Sequence, residues 1–215
     1  MDMQLKEKVI LVAAGATGIG AAIVRACTGE GAIPVIVDRD IESGQRLQAE
    51  LRVKGPANGL ISIDLSNAEG CSQAVDHAVK TFGRIDALVN NAEVNDRIGL
   101  ERGNPSQFVD SLGRDLLHFY NMAHYALPHL KRSRGSIVNI SSGASVQGAI
   151  MSLTREWAAE LLGYDIRVNA VLSARQRRAP DGIVSMAMFL ISANASHITG
   201  QHLFVDSGLC RNEVE

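Results

Sequence analysis

The chain has 215 residues, a formal net charge of −2 and a hydrophobic content of 46%, with a mean hydropathy of +0.06. This length suits one α/β domain with a full core, and the lack of excess basic charge argues against nucleic acid as the main partner. No apolar run approaches the roughly 20 residues of a membrane span, and the acid-containing N-terminal stretch does not resemble a signal peptide.

The cysteines and histidines give no sign of a metal site. Cys27, Cys71 and Cys210 are odd in number and lack the spacing of metal ligands, so reduced thiols in a cytoplasmic protein are the simplest interpretation. The histidines form no metal cluster either, and we expect them at the surface or at an interface: His77, His118, His124, His129, His197 and His202.

Strand-length apolar runs alternate with segments of helical periodicity throughout the chain. Strands are predicted at residues 8–12, 33–38, 60–63, 86–90, 136–140, 166–171 and 203–205. Helices are predicted at residues 19–28, 42–53, 68–82, 106–131 (broken near Gly113), 150–162 and 183–192. The strands are rich in Val and Ile without polar alternation, which is typical of a parallel sheet buried on both faces. We therefore expect a single Rossmann-type, doubly wound α/β domain over residues 1–215, with about seven strands in the order 3-2-1-4-5-6-7.

Three glycines lie where the first predicted strand meets the first helix. Without side chains, Gly15, Gly18 and Gly20 would let the backbone approach a pyrophosphate, which the N-terminus of the helix would bind through its N–H groups and partial positive charge. A glycine cluster alone also fits a tight turn with close helix–strand packing. Here a strand precedes it, a helix follows, and the second strand ends in an acid, so the pattern favours a dinucleotide site.

Acidic residues follow the second and third predicted strands. Asp38 could bind both ribose hydroxyls of the adenosine half and repel a 2′-phosphate, which favours NAD over NADP. The adjacent Arg39 could instead accept that phosphate, and an Asp at a strand end also often stabilises a turn. Asp64 could meet the adenine ring, although it or Ser66 could equally cap the following helix.

Motifs in the second half of the chain carry a family resemblance. They are Leu88-Val-Asn-Asn-Ala92, Val138-Asn-Ile-Ser-Ser142, Ile166-Arg-Val-Asn-Ala-Val171, Ile198-Thr-Gly200 and Val205-Asp206. In this order they resemble the short-chain dehydrogenase/reductase family, and the stretch 118–130 is similar to its L-fucose and related sugar dehydrogenase branch. The resemblance implies an NAD(P)-dependent oxidoreductase that transfers hydride between the nicotinamide and a secondary alcohol or carbonyl compound, possibly a sugar, and that forms a homotetramer or homodimer.

The resemblance also implies roles for individual residues. Gly18, Ile19 and Gly20 would line the pyrophosphate, and Asp38 would bind the adenosine ribose. Asp64 and Leu65 would flank the adenine, while Asn90, Asn91 and Ala92 would line the ribose side. Ser142 would be the catalytic serine, and Asp115 stands where the family has the asparagine of its catalytic tetrad.

The departures from the family pattern cluster at the chemistry. Ala13-Ala14 replaces Thr-Gly before the glycine turn, and Glu93 replaces the glycine after Asn-Asn-Ala. At the tetrad position, the carboxylate of Asp115 could hold a water molecule but donates no hydrogen bond unless it is protonated.

The largest departure is the missing Tyr-x-x-x-Lys pair. The tyrosines Tyr120, Tyr125 and Tyr164 have no lysine four residues later, and no lysine follows Lys131. A phenol, with a pKa near 10, needs a neighbouring cation to exchange a proton near neutral pH. The chain reads as shortened near residues 147–149 and again near 174–180, where the family carries this pair and its substrate loop.

Several interpretations stay open at this point. The protein is a dehydrogenase whose Tyr–Lys pair is absent from the given sequence, or an enzyme in which Tyr120 or Tyr125 acts with a nearby histidine. It is alternatively a non-catalytic NAD-binding member of the family, or a subunit that serves assembly alone. The sequence does not identify the substrate.

Overall fold

A computed structural model describes residues 2–53, 57–91, 98, 100–141, 144–173 and 180–206. Its seven strands form one parallel sheet in the order β3-β2-β1-β4-β5-β6-β7, which confirms the predicted Rossmann-type architecture. The strands are β1 (Val9–Ala13), β2 (Ile33–Asp38), β3 (Gly59–Ser62), β4 (Ala87–Asn90), β5 (Ser136–Ser141), β6 (Arg167–Leu172) and β7 (His202–Phe204).

Helices connect the strands. They are α1 (Gly18–Gly29), α2 (Ile41–Arg52), α3 (Ala68–Phe82), α4 (Pro105–Leu112), α5 (His118–Ser133), α6 (Ala144–Leu161) and α7 (Pro180–Ile191). A π-helical segment, Gly113–Leu117, joins α4 to α5 at the predicted break, and short 3₁₀ turns lie at Leu162–Tyr164 and Ala193–Ala195. Within the described part of the chain, no helix is both long and apolar enough to cross a membrane.

Side chains of each central strand alternate between two buried clusters. In β1, Val9 and Leu11 pack in a cluster with residues of α3, α5 and α6, whereas Ile10 and Val12 pack with residues of α1, α2 and α7. This alternation follows from the period of two in a β-strand. Because helices cover both faces of the sheet, we expect polar groups that could bind a ligand at the ends of the strands.

Candidate functional site

The carboxyl ends of β1, β2 and β4 meet at the centre of the sheet. Ala13, the last residue of β1, pairs with Val37 on one side and with Asn90 on the other. From β1 the strand order runs outward in both directions, so this edge is the topological switch point at which doubly wound sheets bind ligands.

Two of the three glycines are required by close backbone approach. A β-carbon on Gly20 would lie 2.0 Å from the carbonyl oxygen of Ala14 and 3.0 Å from Asn91 Nδ2. A β-carbon on Gly15 would lie 2.8 Å from the carbonyl oxygen of Val12, and the Gly15 N–H donates to the Val37 carbonyl at 3.2 Å. The turn therefore packs tightly on β1 and β2.

Gly18 has a different environment. Its φ of +55° lies in the left-handed region that favours glycine, and a β-carbon there would meet no atom of the described residues within 4 Å. This residue opens α1 and faces free space, while the half-buried Ile19 packs against the core beside it. The turn thus leaves room outside the first turn of the helix.

Among the described residues, no side chain caps the N-terminus of α1. Thr17 makes no capping hydrogen bond, and no acidic residue lies in the first turn. By contrast, α2, α3 and α4 are capped by Asp40, Asn67 and Asn104, whose side chains accept hydrogen bonds from backbone N–H groups. The first-turn N–H groups of α1 are therefore donors suited to an external anion such as a pyrophosphate.

Asp38 connects the end of β2 to the glycine turn. Its Oδ2 accepts a hydrogen bond from the Ala16 N–H at 3.0 Å, and its Oδ1 accepts one from the Asp40 N–H at 3.0 Å. A carboxylate has about four acceptor positions, so both oxygens can still accept from ribose hydroxyls. The Asp38 side chain thus lies between the end of β2 and the glycine turn.

Asp64 and Arg39 lie at the outer end of this edge. β3 ends at Ser62, so Asp64 follows the strand by two residues and is exposed. The hydrogen bonds from Ser66, together with the charge of Arg39, lower the pKa of Asp64; the Ser66 N–H donates to Asp64 Oδ1 at 2.9 Å. Asp64 is thus ionised and available at the surface.

The alternative role of Asp64 or Ser66 as a helix cap is wrong. Asn67 caps α3, since its Oδ1 accepts from the Gly70 N–H at 2.8 Å. Leu65 is buried in the core cluster beneath this edge. Its carbonyl oxygen accepts a hydrogen bond from Cys71 Sγ at 3.5 Å. Because Asn67 is the cap of α3, the Asp64 carboxylate belongs to the turn after β3 and not to the helix.

Asn91 and Asn90 differ in where their side chains lie. Asn91 Nδ2 donates to the Ala14 carbonyl at 3.1 Å, which joins the end of β4 to the glycine turn. Asn90, expected on the ribose side, is instead fully buried; its Nδ2 donates to Asn139 Oδ1 at 3.0 Å. Asn139 Nδ2 in turn donates to Thr154 Oγ1 at 3.0 Å. The Asn90 side chain therefore links β4 to β5 and α6 inside the core.

Asp115 lies in the π-helical segment between α4 and α5. The side chain is 2% exposed, and Ser111 Oγ donates to its Oδ2 at 3.4 Å. π-Helical turns are rare and occur mostly at functional positions. The predicted tetrad position therefore lies in irregular helical backbone, and its side chain is buried.

His118 is a feature that the sequence interpretation missed. It was expected at the surface or an interface, but it is buried, and its Nδ1 lies 3.0 Å from the Arg114 carbonyl oxygen. Burial lowers the pKa of His118 to about 4, so the ring is neutral at pH 7, and donation to the carbonyl assigns the proton to Nδ1. Its helical spacing with the buried Met122, Ala126 and Leu130 is the signal that could have revealed it.

The remaining candidates divide between described and undescribed residues. Ala92, Glu93 and Ser142 lie outside the described residues, as do residues 174–179 of the second shortened region.

Tyr120 is exposed, stacks on His124 with ring centroids 5.7 Å apart, and contacts the Trp157 ring. The tyrosine ring thus lies between α5 and α6.

Comparison with known proteins places this site in context. Residues 8–175 match a family model described as short chain dehydrogenase. The chain is 32% identical over 245 residues to a probable galactose dehydrogenase, GalD, of Rhizobium meliloti (strain 1021), covering 95% of this chain and 96% of the relative. It is 33% identical over 244 residues to an L-fucose dehydrogenase of Oryctolagus cuniculus, covering 94% and 84% of the two chains. The crystal structure of Cj0485 dehydrogenase superposes with a TM-score of 0.86 at 32% identity, covering 97% and 96% of the two chains.

Proposed function

Because the chain belongs to the short-chain dehydrogenase/reductase family of oxidoreductases, we propose that it binds NAD at the carboxyl ends of β1, β2 and β4. Its substrate in this proposal is a secondary alcohol or carbonyl compound of the sugar class, such as L-fucose or galactose. The observation that carries the proposal is the uncapped N-terminus of α1 behind a turn in which a β-carbon on Gly20 would lie 2.0 Å from a backbone oxygen.

The chain's own residues have separate tasks in holding the cofactor. The first-turn N–H groups of α1, beginning at Gly18, would bind the pyrophosphate, and the space outside Gly18 admits it. The Asp38 carboxylate would accept the ribose hydroxyls and repel a 2′-phosphate, which favours NAD over NADP. Arg39 and Asp64 would lie beside the adenine end, with Leu65 beneath them and Asn91 supporting the turn from β4.

NAD, when bound, supplies a hydride acceptor at its nicotinamide ring. The protein must provide a group that polarises the substrate oxygen and one that takes its proton. In the proposal Ser142 hydrogen-bonds that oxygen, and Asp115 holds a water molecule on the proton path. The Tyr-x-x-x-Lys pair that moves the proton in this family is absent from the sequence, which leaves the proton-transfer step without a tuned acid or base.

That absence favours a second candidate function, an NAD-binding family member without turnover. The alignment with the galactose dehydrogenase runs over 245 residues, more than the 215 residues of this chain. The relative therefore contains residues without counterparts here, which agrees with a chain shorter than its relatives. Loss of general acid–base catalysis alone costs about 10²–10⁴-fold in rate.

We also propose that the protein forms a homodimer or homotetramer. Large apolar side chains on the π segment and α5 are exposed, with Leu117 54% and Tyr120 51% accessible, and exposed apolar surface of this kind marks interaction sites. Light scattering should give a multiple of the 23.0 kDa chain mass, which Leu117→Glu should reduce. Val53→Glu, at a highly exposed position on the C-terminal side of α2, is the matched control; a wild-type monomer would contradict the proposal.

The experiment that tests the function begins with the intact mass of the purified protein, because a mass above 23.0 kDa would show that the protein contains residues beyond this sequence. NAD and NADP binding are then measured by isothermal titration calorimetry, and turnover is assayed with L-fucose and D-galactose. Saturable NAD binding with turnover supports the dehydrogenase, and binding without turnover supports the non-catalytic candidate. The absence of binding at millimolar NAD would reject both.

A further inference from the structure

A cavity lies at the other end of the sheet from the proposed cofactor site. Its volume is about 340 Å³, and its lining includes Lys8, Ile10, Ser136, Arg167 and Ile191. The lining residues of the strands lie at the amino-terminal ends of β1, β5 and β6, or immediately before them. The cavity is therefore separate from the carboxyl edge where the glycine turn lies.

The strand register explains why space remains here. Ile10 pairs with Ala87, Ala87 with Ser136, and Ser136 with Arg167, so these residues form one row across four strands. The two central members of the row, Ala87 and Ser136, have small side chains. Large apolar side chains fill most other positions of the core, whereas this row leaves a gap between β1 and β6.

The polar side chains of this edge share one face of the sheet. Ile10 belongs to the cluster with α1 and α7, and by the period of two Lys8 lies on that face as well. Ser136 lies two residues before Val138 on β5, and Arg167 lies four residues before Val171 on β6. Because Val138 and Val171 belong to the same cluster as Ile10, Ser136 and Arg167 lie on that face as well. Lys8, Ser136 and Arg167 therefore line one side of a single cavity.

Two of these groups have unused hydrogen-bonding capacity. Ser136 is 1% exposed, and its Oγ has no hydrogen-bond partner within the described part of the chain. Arg167 donates from Nη1 to the Leu190 carbonyl at 2.6 Å and from Nη2 to the Ser192 carbonyl at 3.0 Å. These bonds fix the guanidinium while leaving several of its five N–H donors, and burial lowers the pKa of Arg167.

The charges around the cavity do not cancel. Lys8 Nζ lies 3.3 Å from Asp86 Oδ1, and Arg134 Nη1 lies 3.7 Å from Asp165 Oδ2. The described lining residues thus include three cations and two carboxylates. Arg167 makes no ion pair with a carboxylate in the described ranges, because its two hydrogen bonds go to backbone carbonyls. The excess positive charge lies on the most buried of the three cations.

We propose that this cavity binds a small oxyanion, either a carboxylate or a phosphate ester, through Ser136 Oγ, the Arg167 guanidinium and the Lys8 ammonium group. The hydroxyl supplies an unused donor, the guanidinium supplies a fixed positive charge, and Lys8 supplies a second positive charge at the half-exposed rim. Because the site lies at the amino-terminal edge of the sheet, it and the cofactor site can be occupied together.

The test follows thermal unfolding of the full-length protein while inorganic phosphate or succinate is titrated at constant ionic strength, with sodium chloride as compensating salt. NAD is kept at saturation so that the ions do not compete for the glycine turn, and each titration is repeated without NAD. Ser136→Ala removes the hydroxyl, and Lys8→Met removes the rim cation. Lys80→Met, at an exposed position on α3 on the other face of the sheet, removes the same charge elsewhere.

We expect a saturable rise in melting temperature with at least one of the two ions, and the ion that gives it identifies the phosphate or the carboxylate class. Lys8→Met and Ser136→Ala should each weaken the apparent affinity about 10-fold, the usual effect of one hydrogen bond to a charged ligand, while Lys80→Met should leave it unchanged. A rise that does not saturate, or one that is equal in all four proteins, would overturn the proposal whether or not NAD binds.

Discussion

The carboxylate of Asp38 connects two parts of the proposed cofactor site. It accepts one backbone hydrogen bond from the glycine turn and one from the residue that caps α2. A negative charge in this position attracts hydroxyl donors and repels phosphate. In the proposed site, the preference for NAD or NADP would therefore depend on a side chain that also holds the turn in place.

Asp38→Asn should shift cofactor preference toward NADP. The amide oxygen can keep one of the two backbone hydrogen bonds, but the charge that repels a 2′-phosphate is lost. We expect NAD binding to weaken about 10-fold, on the order of one charge-assisted hydrogen bond, and NADP binding to improve in titration calorimetry. Asp40→Asn is the control, because it removes the same charge two residues away and Asn caps helices as well as Asp does. An unchanged NAD-to-NADP ratio in Asp38→Asn would contradict the assignment.

Gly20→Ala tests the close approach at the turn. An added β-carbon 2.0 Å from the Ala14 oxygen cannot be accommodated unless the turn moves. We therefore expect NAD affinity to fall by at least about 10-fold and the free energy of unfolding to fall by roughly 1–3 kcal/mol. Gly29→Ala changes the same residue type in the same helix, where a β-carbon meets nothing within 4 Å. That variant should bind NAD normally and gain up to about 1 kcal/mol of stability. Equal affinities in the two variants would reject the geometry.

His118 should make the protein less stable in acid. Its pKa is about 4 in the folded state because burial disfavours the charged ring, against 6.5 without burial. Between these two values the unfolded chain binds a proton that the folded chain does not, so the free energy of unfolding falls as the pH falls from about 6.5 to 4. From pH 7 to pH 5 the loss should be about 2 kcal/mol.

Urea unfolding at pH 7 and pH 5 measures this loss in the wild-type protein and in His118→Gln, which carries no titrating ring. The pH-dependent difference should shrink by most of that amount in the variant. His77→Gln, at an exposed position on α3, should retain the wild-type difference. Identical pH dependence in wild type and His118→Gln would show that His118 does not titrate as inferred.

Among the elements, β4, β5 and α6 share a buried polar connection. Asn90, Asn139 and Thr154 are each at most 1% exposed and form a chain of hydrogen bonds from β4 through β5 to α6. α6 also follows β5 directly after the undescribed Ser142 and Gly143. The orientation of α6 against the sheet thus depends on a hydrogen bond as well as on apolar packing.

Thr154→Val should weaken this connection. Valine has nearly the same shape but cannot accept the hydrogen bond from Asn139 Nδ2, which would then be buried without its partner. We expect a loss of about 1–3 kcal/mol in the free energy of unfolding. Ser152→Ala, at an exposed position on the same helix, should change stability by less than about 0.5 kcal/mol. If both variants change the free energy of unfolding in urea by the same small amount, the Asn139–Thr154 hydrogen bond does not stabilise the protein as inferred.

The strands and most helices could be predicted because buried parallel strands and amphipathic helices leave strong periodic signals. β2 and α3 have the predicted bounds. α6 begins at Ala144 rather than at the predicted residue 150, because Gln147 and Gly148 interrupt the apolar periodicity of its first turns. α7 likewise begins at Pro180, before its apolar run. Helix starts of low apolar content were the least predictable part of the fold.

At the site, the sequence indicated the backbone chemistry better than it indicated the side-chain directions. The close packing at Gly15 and Gly20 agrees with the tight turn that the sequence offered as an alternative. The side chain of Asn90 does not lie on the expected ribose side, because it lies within a strand covered on both faces, where side chains enter the core. The polarity of His118 favours a surface position, but its helical phase buries it with Met122 and Leu130. Spacing identifies residues at a strand end, but burial decides which of them face the ligand.

At the scale of the whole molecule, the sheet separates two sites. The carboxyl ends of the central strands hold the glycine turn, Asp38 and Asn91, whereas the amino-terminal ends hold the cavity with Ser136 and Arg167. The strands between them are buried on both faces. A ligand at the first site should therefore protect one edge of the molecule and leave the other edge unchanged.

Hydrogen–deuterium exchange with and without saturating NAD tests the central claim most directly. We expect NAD to slow exchange at the backbone amides of residues 14–20 and around Asp38 and Asn91, with no change around Ser136 and Arg167, because the cofactor covers the first turn of α1. Saturable NAD binding without protection of residues 14–20, or protection confined to the opposite edge of the sheet, would contradict the account.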